Sequence, residues 1–189
     1  MQQISRLAAM SMIALSMAAC GARDEGDTAR TGEPADETLA SALDSDGEFA
    51  TLHGVIENAG LETVLEGVGP YTVIAPTDAA FDAAGEAAGD LTDAELRAQG
   101  AELVRAHLLP GAVTRADLEA AIERGGAEGA EMRTMSDGVL TFTRDGEAIV
   151  VTADDGSSAR LSGDEFLASN GVIQPVDAIL VAQAEASAD

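Results

Sequence analysis

Helical periodicity fills the first half of this chain and β-branched runs fill the second. That order restricts the fold more than any composition figure does. Thr38–Leu43 and Glu48–Ala59 read as helices. In the second, Phe49, Leu52, Val55, Ile56 and Ala59 recur on one helical face, and Gly60 follows as a stop. Leu61–Leu65 is a helical turn. Tyr71–Ala75 is a β-branched and aromatic strand that Pro76 ends, and Ala79–Ala88 is Ala-rich and helical. Thr92 and Glu95 are spaced as a capping box opening a helix to about Arg105. Thr114 and Asp117 repeat that spacing before a helix to Ile122. After Gly125, Gly126 and Gly129 the pattern is β: Glu131–Met135, Val139–Thr143, Ala148–Thr152 and Val172–Val181. Asp145-Gly146 is a hairpin signal and Asp154–Ser158 a turn. Helices first and strands afterwards give an α+β class rather than repeated βαβ units.

The core has little bulky material. Of the hydrophobic residues 38 are Ala, there is no Trp, and burial energy must come from Leu, Val, Ile and four Phe. Charge excludes more than it assigns. Thirty-four acids face ten basic residues, all Arg, for a formal charge of −24, which repels phosphate backbones and argues against a nucleic-acid partner. One Cys forbids an intrachain disulfide, and two His without an HExxH pattern leave little for a His-rich metal centre. No metal and no cofactor is expected. Asp44–Glu48 (DSDGE) resembles the start of a calcium loop, but Val55 stands where the loop's closing Glu is needed.

The N-terminus reads as an address. Leu7–Ala19 is apolar and uncharged, too short to span a bilayer, and preceded by Arg6, as in a secretory signal. It ends in small residues directly before the only Cys, Cys20, and this resembles a bacterial lipobox in which Cys20 is acylated. Residues 1–19 are thus expected to be a lipoprotein signal peptide. Residues 20–37, rich in Gly, Ala and charge, are expected to be a flexible acidic tether, and 182–189 a disordered tail. The expected location is extracytoplasmic, with the chain anchored in the bacterial envelope through Cys20. Gly21 after the Cys favours the outer over the inner membrane.

Three segments carry more than periodicity: Tyr71–Phe81 (YTVIAPTDAAF), Leu103–Gly111 (LVRAHLLPG) and Asn170–Leu180 (NGVIQPVDAIL). In this order they resemble the two conserved boxes and the central His segment of the fasciclin (FAS1) domain, over residues 38–181. The resemblance implies N-terminal helices packed on a β-wedge or sandwich formed mainly by the C-terminal half. It also implies a non-enzymatic adhesion module that meets an unidentified protein or matrix partner. The motif residues are Tyr71, Pro76, Thr77, Asp78, Phe81, His107, Gly111, Asn170, Gly171, Val172 and Asp177, most of them expected to be structural. Ala106 stands where the family usually has Tyr, and Gln174-Pro175 where it has His and an aliphatic residue. Integrin-binding activity ascribed to those regions in animal members is therefore not carried over.

Each polar motif residue has two readings. His107 is either a packed, hydrogen-bonded ring at a helix end or a base or metal ligand. Thr77 and Asp78 suit a helix start better than catalysis. Asn170-Gly171 suits a turn, and Asp177 either faces outward or bonds backbone amides. The alternative function is an envelope hydrolase using His107, although no GxSxG, P-loop or HExxH pattern is present.

Overall fold

The computed structural model describes residues 34–85 and 90–180. The expected signal peptide, Cys20, most of the expected tether, Val181 and the expected tail lie outside the described residues. Ala35 and Glu37 do not behave as tether. The Ala35 amide donates to the Leu167 carbonyl at 2.7 Å and the Ser169 amide to the Glu37 carbonyl at 2.8 Å, so chain and domain are joined before Thr38.

Helix α1 (Leu39–Ser45) starts where Thr38 offers its hydroxyl to the Ser41 amide, and α2 (Ala50–Ala59) stops at Gly60 in the left-handed conformation. Helix α3 (Glu62–Glu66) leads into strand β1 (Tyr71–Pro76), followed by α4 (Asp78–Ala84). Next come α5 (Arg97–Ala106), the short β2 (Leu108–Pro110) and α6 (Arg115–Gly125), which carries the expected Thr114/Asp117 capping box. Strands β3 (Ala130–Arg133), β4 (Val139–Asp145), β5 (Ala148–Ala153) and β6 (Ser158–Arg160) form an antiparallel meander in that order. Strands β7 (Phe166–Ala168) and β8 (Gly171–Val176) complete a second sheet of order β2-β1-β8-β7.

The second sheet is the frame of the molecule. Strands β1 and β8 run parallel along their whole length, from Tyr71 beside Gly171 to Pro76 beside Val176. Parallel strands are stable when both faces are covered, and the near-continuous apolar run of β1 fits that demand. Successive side chains point to opposite faces. Val73, Ala75 and Ile173 face a core built with α1, α2, Phe81 and α5, while Ile74 and Val176 face a second core with α6 and the meander. The result is helices, mixed sheet and antiparallel sheet in layers, the α+β arrangement that the order of elements implied.

Local departures have physical causes. The expected capping box at Thr92 does not open α5. Two short 3₁₀ turns (Asp90–Thr92 and Ala94–Leu96) precede it, and Asp93 makes no side-chain cap bond. The amide of Asn58 takes the Leu91 and Asp93 carbonyls at 3.0 and 2.8 Å, tying this segment to α2. β1 stops at Pro76, which is its last residue, and α4 ends with Ala84 at the Gly85 cap, short of the expected Ala88. Pro175 has no backbone donor, a feature that confines Pro mostly to edges and bulges, yet it sits in the interior strand β8. Its carbonyl accepts from the Ser162 amide at 2.8 Å, so its ring nitrogen points to the side where β7 has already ended and no ladder bond is lost.

Candidate functional site

All three motif segments fall on adjacent strands. The first is β1, the third is β8, and the central His segment supplies β2, whose entry is joined to β1 by the Ile74 amide donating to the His107 carbonyl at 2.8 Å. The motif residues are thus brought together as a sheet and its braces.

Asn170 is the most connected of them. Its Oδ1 accepts from the Leu39 amide at 2.8 Å, and its Nδ2 donates to the Leu65 and Gly67 carbonyls, both at 2.7 Å. One buried amide therefore closes the start of α1 and the end of α3 against the β7–β8 turn. Gly171 must be Gly for contact reasons: a Cβ there would stand 2.0 Å from the Tyr71 carbonyl oxygen, inside the β1–β8 pairing. Val172 is buried beside Thr72. Asp177 lies just past β8, exposed, and accepts from the Arg160 amide at 2.7 Å, the second of the roles considered for it.

Thr77 caps α4 by accepting from the Ala80 amide, and Asp78 works across helices. Its Oδ1 accepts from the Thr51 amide at 2.8 Å, supplying α2 with the cap that Phe49 cannot provide. Phe81 is buried in the helical core and Tyr71 packs half-buried against it. Gly111, at φ 101°, turns the chain out of β2, with its carbonyl accepting from the Thr72 hydroxyl at 2.7 Å. Gln174, standing in place of the expected His, is wholly buried. It accepts from Arg115 Nε and donates to Glu165 and to the Val113 carbonyl.

His107 is 1% exposed at the end of α5. The Leu180 amide donates to Nε2 at 3.0 Å, so Nε2 carries no proton. Nδ1 therefore does, and donates to the Leu103 carbonyl at 2.8 Å. Burial pulls its pKa from 6.5 down to about 4, against the opposing pull of the Leu103 carbonyl and the Asp155 charge. Both ring nitrogens are committed to backbone, so this ring has no nitrogen left to take a substrate proton. It holds the end of α5 to the segment after β8.

Beside this brace the surface is concave. A cavity of about 440 Å³ has Leu103, Ala106 and Leu180 among its lining, with Glu102, Asp137, Asp154 and Asp155 around it. Ala106 leaves room there that a larger side chain would take. Sequence reasoning missed this grouping because the acids come from α5 and two separate hairpin turns. It also missed a set on α2 and α3, His53, Glu57 and Glu62. A signal for part of that set was present, since His53 and Glu57 are four residues apart on one helix.

Comparison with known proteins gives one family. A model described as Fasciclin domain matches residues 47–182. Human Stabilin-1 is 30% identical over 169 residues, covering 85% of this chain and 6% of that protein. Protein sll1483 of Synechocystis is 28% identical, covering 76% and 73%. The pig transforming growth factor-beta-induced protein ig-h3 is 29% identical, covering 76% and 19%. The chain thus spans a small fraction of the two animal proteins. Among solved structures, a FAS1 domain pair from the insect cell adhesion molecule Fasciclin I superposes with a TM-score of 0.67 at 16% identity, covering 77% of this chain and 51% of that one, a likeness of fold.

Proposed function

Because the chain belongs to the fasciclin domain family, we propose that it is a non-enzymatic adhesion or protein- and matrix-binding module, held to the bacterial envelope by a lipid on Cys20. The observation that carries this reading is the commitment of both His107 nitrogens to backbone. It leaves the one buried base of the motif segments with a bracing role instead of a catalytic one. The similarity to an insect cell adhesion molecule supports the same reading. The hydrolase alternative has no comparable support, since its proposed base has no acceptor free.

The anchor is supported by the apolar run ending in the chain's only Cys. Among the described residues no helix is long and apolar enough to cross a membrane, so attachment through the described part would need another device. Acyl chains contribute about 0.8 kcal/mol per buried CH₂, and more than one chain gives stable anchoring. The outer membrane is the favoured address on the strength of Gly21. Fractionation of cells tests the anchor. Wild type is expected with the membranes and Cys20→Ala in the soluble fraction; a variant that stays with the membranes removes this part of the proposal.

A further inference from the structure

The helical layer carries a group of side chains that the adhesion reading does not use. A ring nitrogen of His53 and carboxylate oxygens of Glu57 and Glu62 all lie within 4.8 Å of one another. Two helices supply them. His53 and Glu57 are one turn apart on α2, and Glu62 opens α3. The link between the helices is fixed: Gly60 adopts φ 71°, its amide donates to the Glu57 carbonyl at 2.9 Å, and the Leu61 amide donates to the Ile56 carbonyl at 3.1 Å. Glu62 is thereby returned to the side of α2 that bears His53.

A fourth side chain lies beside the three. Asp44, at the end of α1, places Oδ1 3.6 Å from His53 Nδ1. At that distance the two form no hydrogen bond, but a small rotation of the exposed Asp44 side chain would let it accept from the Nδ1–H, the outer contact commonly found at metal-bound histidines. His53 and Glu62 are half-buried while Glu57 is exposed, so the group is held from below and open from above.

The geometry points to a divalent transition-metal site formed by His53, Glu57 and Glu62, with Asp44 beside the imidazole. Zinc takes nitrogen and carboxylate ligands at about 2.0–2.2 Å, which sets neighbouring ligand atoms about 3.4 Å apart, within reach of small side-chain rotations here. One imidazole with two carboxylates favours zinc-class ions, whereas calcium and magnesium favour all-oxygen sets. The distinction is needed because 34 acids will also attract cations diffusely.

The test is a Zn²⁺ titration of the full-length chain in detergent, with excess Mg²⁺ occupying the diffuse acidic surface. Co²⁺ serves as a visible-absorption probe of the same site. One equivalent of Zn²⁺ is expected to bind, and Co²⁺ to give a ligand-field band that Zn²⁺ displaces. His53→Gln and Glu62→Gln should each weaken Zn²⁺ binding by at least about tenfold and abolish the band. Glu57→Gln, at an exposed position, should weaken binding as well with an unchanged melting temperature, which separates ligation from folding. Equal Zn²⁺ binding by wild type and Glu57→Gln, or a Co²⁺ spectrum indifferent to His53→Gln, overturns the site.

Discussion

Asn170→Asp is expected to destabilise the domain by at least about 3 kcal/mol at pH 7, measured by urea unfolding. The exchange conserves shape and removes one donor group. In the native chain Nδ2 donates to two carbonyls at 2.7 Å while Oδ1 accepts the Leu39 amide. An aspartate would point an oxygen at both carbonyls. If ionised it repels them, and if protonated it can satisfy only one. The folded state therefore raises this carboxyl's pKa, so the penalty relative to wild type should shrink as pH falls and more of the group is protonated. Asn170→Ala should cost a similar amount without that pH dependence, because it leaves an amide and two carbonyls unpartnered. Native domains are stable by only about 5–15 kcal/mol, so either variant removes a large share. A loss under about 1 kcal/mol for both would mean that the amide is not the closure described.

The pH dependence of His107 carries the opposite sign. Its folded pKa of about 4 lies below the unfolded value of 6.5, so the native state favours the neutral ring. The contribution is complete above pH 6.5 and is lost as pH falls from 6.5 towards 4, where the unfolded chain binds a proton that the folded chain does not. A drop from 6.5 to about 4 corresponds to about 3 kcal/mol. His107→Gln removes that proton linkage. The difference in unfolding free energy between wild type and His107→Gln is therefore expected to be largest at pH 7 and to narrow by about 3 kcal/mol by pH 4. A difference that stays constant across this window would show that the ring is not held neutral.

The class and the layer order were legible because α2, β1 and the second capping box state their periodicity or caps locally. Which strands pair was not. β1 lies among helices in the sequence, yet its neighbours are β2 and the last strand, β8. Strands β2, β6 and β7 are three residues each, too short for alternation to register. The Thr92 spacing did not open α5 because a separate 3₁₀ turn, Ala94–Leu96, stands between it and the helix start at Arg97.

For the motif residues, chemistry was legible but partners were not. Pro-Thr-Asp signalled a helix start, and Thr77 does cap α4. Nothing local revealed that Asp78 serves the amide of Thr51 on another helix. His107 was legible as a hydrogen-bonded ring, while its second partner, the Leu180 amide, lies beyond β8. The cavity acids and the His53, Glu57 and Glu62 group come together only through folded turns.

The proposed role, holding on from a tether instead of turning over a substrate, has a direct test. The most direct measurement counts cells retained on a surface or in aggregates under fixed shear, comparing wild type, a deletion and Cys20→Ala. Many copies displayed on one cell would bind multivalently, so on this proposal loss of display is expected to reduce retention by at least about tenfold. That loss is expected for the deletion and for Cys20→Ala alike, with the released variant still folded. Retention that is the same with and without the chain would contradict it.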